Sequence, residues 1–257
     1  MARRATVIKD YRAKTPHLLV LDAGDALFGQ PVSDISQGKA LTEAMGLMKY
    51  DAMAIGERDL AHFPELLDRS REAKFAFLSA NLVYADSGKP VFTPYIVQDM
   101  GGRKVAIIGL TPADDTFKSF VPPSMNITAK DPLETAREYV AKARADKVDA
   151  VVILSHLGNV MDRKIATEVD GITAIVGGHS YDLLQETLQL NNTVIGQAGY
   201  GGEWLGEITV DFDAEGNVTS AKAGVIPLTE EYADDPELAA LAARYNAALP
   251  PTPTVQP

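Results

Sequence analysis

Residues 18–25 read Leu-Leu-Val-Leu-Asp-Ala-Gly-Asp, so that four apolar residues run directly into two carboxylates. A short, wholly apolar run is typical of a strand buried on both faces of a parallel sheet. Because carboxylates are disfavoured inside such a strand, we expect Asp22 and Asp25 at its C-terminal end, the edge at which open α/β sheets bind ligands. Taken alone, the stretch also fits an alternative in which one aspartate caps the next turn and the other is solvated.

The composition is typical of a soluble globular protein, with 257 residues of which 46% are hydrophobic and 23% charged. The net charge of −11 disfavours a polyanionic partner such as DNA or RNA, because no compensating basic patch is visible. The absence of cysteine excludes disulfides, cysteine-ligated zinc and thiol chemistry. No apolar run is long enough to cross a membrane. The first ten residues lack the apolar segment of a signal peptide, so we expect none in the chain as written.

Apolar runs and amphipathic stretches alternate along the chain. Helices are predicted near residues 2–14, 39–49, 64–73, 131–146 and 161–169, with a last one beginning at Asp235-Pro236. Strands are predicted near residues 52–55, 75–78, 95–97, 105–108, 150–154, 174–176, 193–197 and 204–212, with one more after the turn at 215–217. This alternation predicts an α/β fold. We expect one domain over residues 1–249, followed by a Pro-rich tail or linker over residues 250–257.

Polar side chains follow four of these strands where each strand ends, namely Asp25, Glu57, His156 and His179. Because the ends of neighbouring strands lie side by side, we expect these groups to converge. Two imidazoles and two carboxylates suit Zn, Mn or Fe better than Mg. A single histidine after a strand is more often a surface or hydrogen-bonded structural residue. Two histidines in the same topological position favour the interpretation as metal ligands.

Nucleophilic and nucleotide-cradling motifs are absent from the sequence. There is no Gly-x-Ser-x-Gly elbow, and the adjacent Ser155 and His156 do not have the spacing of a catalytic triad. The glycines between residues 196 and 206 have neither dinucleotide-binding nor P-loop spacing. His17 and His62 do not follow a strand and are predicted to be ordinary surface residues, with a site role as the weaker alternative for His62 because it lies near the Glu57 loop.

Five motifs of this chain resemble the metallophosphoesterase domain of bacterial 5′-nucleotidases and UDP-sugar hydrolases, in order and spacing along nearly its whole length. They are Asp22-Ala23-Gly24-Asp25, Tyr50-Asp51-Ala52-Met53-Ala54-Ile55-Gly56, Ser155-His156-Leu157-Gly158, Gly177-Gly178-His179-Ser180 and Gln197-Ala198-Gly199. The resemblance implies a four-layer α/β/β/α sandwich with mixed sheets and two metal ions at the strand ends. It implies that Asp25 bridges the metals and that His156 and His179 ligate the second one. Glu57 stands where the family has an asparagine ligand.

The chain departs from the family pattern at four places. The first motif, Asp-x-His, is absent because the chain starts after it, and residues 2–12 match the helix that follows that strand. The family's Asn-His-Glu/Asp motif reads Glu57-Arg58-Asp59, which puts an arginine in place of the histidine that assists the transition state. Tyr181 occupies the position of the last ligand of the first metal. The C-terminal nucleotide-binding domain is missing, and the Pro-rich tail stands where its linker would begin.

Together these features predict a metal-dependent phosphoric ester hydrolase of the 5′-nucleotidase type, acting on nucleotides or related small phosphoesters with one or two ions of Zn, Mn or Fe. The predicted metal ligands are Asp25, Glu57, His156 and His179, and Arg58 and Asp59 are assigned to catalysis. Arg58 is expected to neutralise phosphate charge, which guanidinium does well, but not to act as a general acid. The alternative is a catalytically silent metal- or phosphate-binding module with the same fold. We expect no nucleic acid polymer and no membrane as partner, a further C-terminal domain in longer versions, and, from the resemblance, a periplasmic or exported location.

Overall fold

The computed structural model describes residues 1–250, so the predicted tail lies outside the described residues except for Pro250. Within that range the helices are α1 (Ala2–Lys14), α2 (Pro31–Ile35), α3 (Lys39–Leu47), α4 (Glu57–Leu60), α5 (Phe63–Glu72), α6 (Asp115–Phe120), α7 (Pro132–Ala145), α8 (Asn159–Glu168) and α9 (Pro236–Asn246), with a 3-10 turn at Pro123–Met125. The strands are β1 (Leu21–Asp22), β2 (Ala52–Ala54), β3 (Ala76–Leu78), β4 (Leu82–Tyr84), β5 (Tyr95–Asp99), β6 (Lys104–Leu110), β7 (Ile127–Ala129), β8 (Ala150–Ser155), β9 (Ala174–Gly177), β10 (Leu188–Leu190), β11 (Thr193–Gln197), β12 (Trp204–Phe212) and β13 (Val218–Pro227).

Two sheets organise the fold. The small sheet consists of the parallel strands β1, β2 and β3 in that order. The large sheet has the order β10-β11-β9-β8-β6-β5; its four central strands are parallel, and its two edge strands, β10 and β5, are antiparallel to their neighbours. Two antiparallel pairs, β12–β13 and β4–β7, complete the strands. The large sheet is mixed, as the family resemblance implies, and the small sheet is parallel throughout.

Three apolar cores separate four layers. Ala54, Leu78 and Leu154 belong to the core between the small and the large sheet. The outer face of the small sheet packs against α1, α3, α5 and α9, and the outer face of the large sheet packs against α7 and α8. The order helices, small sheet, large sheet, helices is the predicted α/β/β/α sandwich.

The central strands of the large sheet explain why their sequences are continuously apolar. Along β8, Val151 and Ile153 face the helices, whereas Val152 and Leu154 face the small sheet. Side chains alternate between the two faces of a strand, and both faces of this sheet are covered. The strand is therefore buried over all six residues.

Two of the helices begin at an aspartate that precedes a proline. The Asp131 side chain accepts a hydrogen bond from the Glu134 N–H at 2.9 Å, and Asp235 accepts from the N–H groups of Glu237 and Leu238. These bonds satisfy N–H groups that a helix leaves free in its first turn, and proline at the first position has none to offer. The predicted starts of α7 and α9 are confirmed. Over residues 1–250, no helix has the length and apolar character that would let it cross a bilayer.

The prediction for residues 18–25 needs correction. Strand pairing is confined to Leu21–Asp22, and Leu21 is half-buried rather than enclosed on both faces. The reason is that β1 lies at an edge of the small sheet, where it is bonded to β2 alone. The prediction that the carboxylates stand at the end of the strand is correct for Asp25, whereas Asp22 is the last residue of β1 itself.

Candidate metal centre

The four predicted ligands come from two sheets and meet at one edge of the sandwich. His156 follows β8 directly, and His179 stands two residues beyond β9 in the large sheet. Asp25 lies three residues after β1, and Glu57 begins the short helix α4 after β2 in the small sheet. The predicted convergence of these strand ends is present in the structure.

Glu57 is the centre of this cluster. Its Oε2 lies 3.2 Å from His156 Nε2, and its Oε1 lies 3.2 Å from His179 Nδ1. One ligand atom from each of these three residues lies within 4.8 Å of the other two. Asp25 joins through His156, whose Nε2 is 3.1 Å from Asp25 Oδ2. Glu57 and His156 are buried, whereas His179 is partly exposed, so the cluster is closed at its base and open on the side of His179.

Two buried atoms at this point have no hydrogen-bond partner. They are Glu57 Oε2 and His156 Nε2, which face each other without forming a hydrogen bond of acceptable geometry. Buried polar atoms are nearly always satisfied, and an exception calls for a ligand, water or ion. Carboxylate oxygen and imidazole nitrogen are ligands for divalent transition metals. The residues present therefore fit a divalent cation.

His156 is held in the form that a metal ligand requires. Its Nδ1 lies 2.6 Å from the carbonyl oxygen of Ala23. A carbonyl oxygen only accepts, so Nδ1 carries a proton, and Nε2 on the carboxylate side is the ring nitrogen that is left for a metal. A backbone carbonyl on the other ring nitrogen is the usual means of orienting a metal-binding histidine.

The charges of the cluster favour the binding of a cation. Burial lowers the pKa of His156, but Asp25 and Glu57 outweigh burial and raise the pKa to about 10. Burial raises the pKa of Glu57, but His156 and His179 outweigh it, and the pKa of this carboxyl falls well below its usual range. Both shifts show that the carboxylates stabilise positive charge at this point. A bound divalent cation provides that charge in place of a proton.

Glycines allow the loops to approach this closely. A Cβ on Gly24 would lie 2.8 Å from His156 Nδ1, and a Cβ on Gly56 would overlap the Asp25 carboxylate. Asp25 and His179 themselves adopt left-handed backbone conformations, with φ of 56° and 73°. Such conformations cost energy in non-glycine residues and cluster at functional sites. The absence of a side chain at Gly24 and Gly56 is therefore what allows the two loops to meet the ligands.

Asp59 lies beneath the cluster. Its carboxylate accepts the backbone N–H groups of Asp25 at 2.9 Å, Leu27 at 3.2 Å and Gly56 at 3.2 Å. The residue is fully buried. These three bonds tie the loop after β1 to the loop after β2. The geometry makes Asp59 a residue that positions Asp25 and Glu57, and its assignment to catalysis stays a prediction.

Arg58 lies on the open side of the cluster. Its side chain is 50% exposed, and its Nε is 3.8 Å from Asp25 Oδ2. Its backbone N–H donates to Asp25 Oδ1 at 2.9 Å. The guanidinium therefore lies beside the ligands and is half exposed to solvent. This placement fits the predicted contact with a phosphate group.

Sequence reasoning missed the support behind His156. Asp162 on α8 is fully buried and accepts a hydrogen bond from the Ser155 hydroxyl, whose oxygen in turn accepts the Leu157 N–H at 3.2 Å. These bonds fix the turn that carries His156. A signal was present in the sequence, because Asp162 precedes Ile165 and Ala166 by three and four residues and so shares their buried helix face.

Comparison with known proteins agrees with this geometry. The trifunctional nucleotide phosphoesterase YfkN of Bacillus subtilis is 32% identical over 276 residues, which cover 92% of this chain and 19% of that protein. The 5′-nucleotidase of Homo sapiens is 30% identical over 93% of this chain and 46% of its own length. The crystal structure of a 5′-nucleotidase precursor from Thermus thermophilus superposes with a TM-score of 0.88 at 31% identity, covering 96% of this chain and 52% of that one.

The chain belongs to the 5′-nucleotidase-type metallophosphoesterases. The family and fold class predicted from the motifs are confirmed. No family model matches the chain. This metallophosphoesterase domain spans less than half the length of the two curated relatives. The relatives are thus longer proteins, and their activities belong to chains that contain more than this domain.

Proposed function

We propose that this chain is a metal-dependent phosphoesterase that hydrolyses nucleotides or related small phosphoesters. The observation that carries the proposal is the cluster of Glu57, His156 and His179, in which two buried ligand atoms lack any other partner. The similarity to a nucleotide phosphoesterase and to 5′-nucleotidases supports the substrate class. The identity of the metal as Zn, Mn or Fe, the number of ions, and a periplasmic or exported location stay predictions.

The residues of the site have different roles in phosphoester hydrolysis. A divalent cation held by Asp25, Glu57, His156 and His179 would supply positive charge against the charge that develops on the phosphoryl group. The Ala23 carbonyl keeps the His156 lone pair on the ligand side. Arg58 provides a permanent positive charge at the open side, where it can bind a phosphate oxygen but cannot give up a proton.

Metal content and turnover measured together test the proposal. We would compare the wild type with His156→Ala and with a matched control, His17→Ala, which changes an exposed histidine that does not belong to the cluster. Bound metal would be quantified by plasma emission spectrometry. Hydrolysis of AMP and p-nitrophenyl phosphate would be followed with added Mn or Zn.

We expect about one or two equivalents of metal per chain in the wild type and the control, and loss of both metal and hydrolysis in His156→Ala. Metal binding without turnover in the wild type would contradict the hydrolase proposal and favour a silent binding module. A wild type that binds no metal would contradict both interpretations.

A further inference from the structure

Two exposed tyrosines form a pair beside the metal centre. Tyr181 is 49% exposed and Tyr200 is 60% exposed. Their rings meet edge to face, with centroids 4.9 Å apart and an interplanar angle of 79°. Single exposed aromatic residues are common on protein surfaces. Two that pack against each other, one of them two residues from His179, provide an exposed aromatic surface close to the ligand cluster.

The tyrosine pair is close to the predicted metal ligands because its two loops follow β9 and β11, which are neighbouring strands. Tyr181 is two residues from His179, a separation that the chain can stretch to at most about 7 Å. Tyr200 lies on the loop that follows β11, the strand next to β9 in the large sheet. The two rings therefore stand at the His179 side of the cluster, which is the side that is partly exposed.

Backbone hydrogen bonds hold the two loops together. The Gly199 N–H donates to the Asp182 carbonyl at 2.9 Å, and the Leu184 N–H donates to the Gln197 carbonyl at 3.0 Å. The Ser180 hydroxyl adds a side-chain link, because its oxygen lies 3.0 Å from Gln197 Nε2 and accepts that amide. The rings are thus presented by a fixed double loop.

Tyr181 adopts a strained backbone conformation in this loop. Its φ of 60° is left-handed, as are those of Asp25 and His179 in the cluster itself. This region is unfavourable for a non-glycine residue, so the surrounding structure has to enforce the conformation. The loop therefore holds the Tyr181 ring in an exposed position at an energetic cost, beside a ligand that is strained in the same way.

We propose that Tyr181 and Tyr200 form an aromatic platform on which the planar ring of the substrate's leaving group stacks, so that this chain favours nucleotides over phosphate esters without a base. The proposal rests on the proposed function and specifies its substrate class. Edge-to-face packing leaves ring faces of the pair open to a third planar group. Stacking of a base on an aromatic side chain is worth about 1–3 kcal/mol and tolerates every base, because each has a π-face.

The test compares two substrates that differ by the base alone, AMP and ribose 5-phosphate. The ratio of their kcat/KM values is measured in the wild type, Tyr200→Leu and Tyr200→Phe. A ratio is independent of the fraction of active protein, so partial misfolding cannot imitate the effect. The matched control is Tyr139→Leu, which breaks another edge-to-face pair, Tyr95–Tyr139 with centroids 5.9 Å apart, on the outer helical layer.

We expect the AMP preference to fall about tenfold in Tyr200→Leu, since tenfold corresponds to about 1.4 kcal/mol. The preference should persist in Tyr200→Phe and in Tyr139→Leu. An unchanged ratio in Tyr200→Leu, or an equal fall in Tyr139→Leu, would overturn the platform while leaving the phosphoesterase in place.

If the wild type hydrolyses neither ester, the proposed function fails, and the platform is tested by binding alone. Adenosine, which has the base but no phosphate, is then titrated by saturation-transfer NMR. We expect binding to the wild type and about tenfold weaker binding to Tyr200→Leu. The absence of adenosine binding to the wild type would overturn the platform independently of catalysis.

Discussion

The large-sheet half and the small-sheet half of the candidate metal centre position their predicted ligands by different means. His156 and His179 extend from β8 and β9, which are six and four residues long and pair in parallel register with each other. Asp25 and Glu57 follow β1 and β2, which are two and three residues long. Long paired strands fix the direction of the chain at their ends, whereas such short strands leave it to the loops.

A buried aspartate lies behind each half of the site. The two aspartates differ in how many hydrogen bonds they accept from the loops that carry the ligands. Asp59, behind the small-sheet ligands, accepts three backbone N–H groups from two loops. Asp162, behind the large-sheet ligands, accepts one hydroxyl, and its Oδ2 has no partner. In the large-sheet half, strand pairing fixes the positions of the ligands. In the small-sheet half, the hydrogen bonds of the Asp59 side chain have to do this instead.

Removing Asp59 should have the largest effect on stability. In Asp59→Ala three N–H groups lose their acceptor, and each buried unsatisfied group costs about 1–3 kcal/mol. We expect the free energy of unfolding in urea to fall by roughly 4 kcal/mol or more. The control is Asp68→Ala, whose carboxylate forms an exposed ion pair with Arg71 and should change the free energy by less than about 0.5 kcal/mol. Equal effects of the two substitutions would contradict the positioning role of Asp59.

We expect Asp162 to make the stability of the protein depend on pH. Burial raises its pKa to about 7, above the ordinary value of 3.8. Between these two values the folded chain keeps a proton that the unfolded chain has released, so stability falls as the pH rises from about 4 to about 7. Asp162→Asn keeps the acceptor for Ser155 but cannot ionise. We expect the wild type to lose roughly 3 kcal/mol relative to this variant between pH 4.5 and pH 8, because one pKa unit corresponds to about 1.4 kcal/mol. Parallel pH profiles in urea unfolding would rule out an ionising Asp162.

The sequence predicts the large-sheet half better than the small-sheet half, for a physical reason. The run at residues 150–154 becomes β8 because both of its faces are buried, and a doubly buried strand is continuously apolar. His156 then follows by position alone. At residues 18–25 the same kind of run pairs over two residues only, because β1 has a single neighbour. An apolar pattern records that a segment is buried but not how many strands flank it.

The role of a residue cannot be predicted from one sequence when it depends on contacts between segments that are distant in the chain. Glu57-Arg58-Asp59 presents three charges in a row, and only the family resemblance separates Glu57, as a predicted ligand, from the other two. In the structure Glu57 turns to the histidines, Arg58 turns outward, and Asp59 turns inward to an N–H group 34 residues away. The helical turn α4 produces this divergence, because successive residues of a helix point in different directions.

A matched pair of core substitutions should have the smallest effect and decide whether the two halves unfold together. Ile55 packs in the core outside the small sheet, Ile153 packs in the core outside the large sheet, and both are fully buried. Replacing either with valine removes one methylene group and should cost about 0.5–1.5 kcal/mol. The shared core that contains Ala54 and Leu154 joins the sheets, so we expect one urea transition with an unchanged slope in both variants. A separate early transition in Ile55→Val alone would mean that the small sheet opens by itself. The metal would then be held by one stable and one labile half, and its loss would follow the opening of the small sheet; with a single transition, all four ligands separate only when the whole domain unfolds.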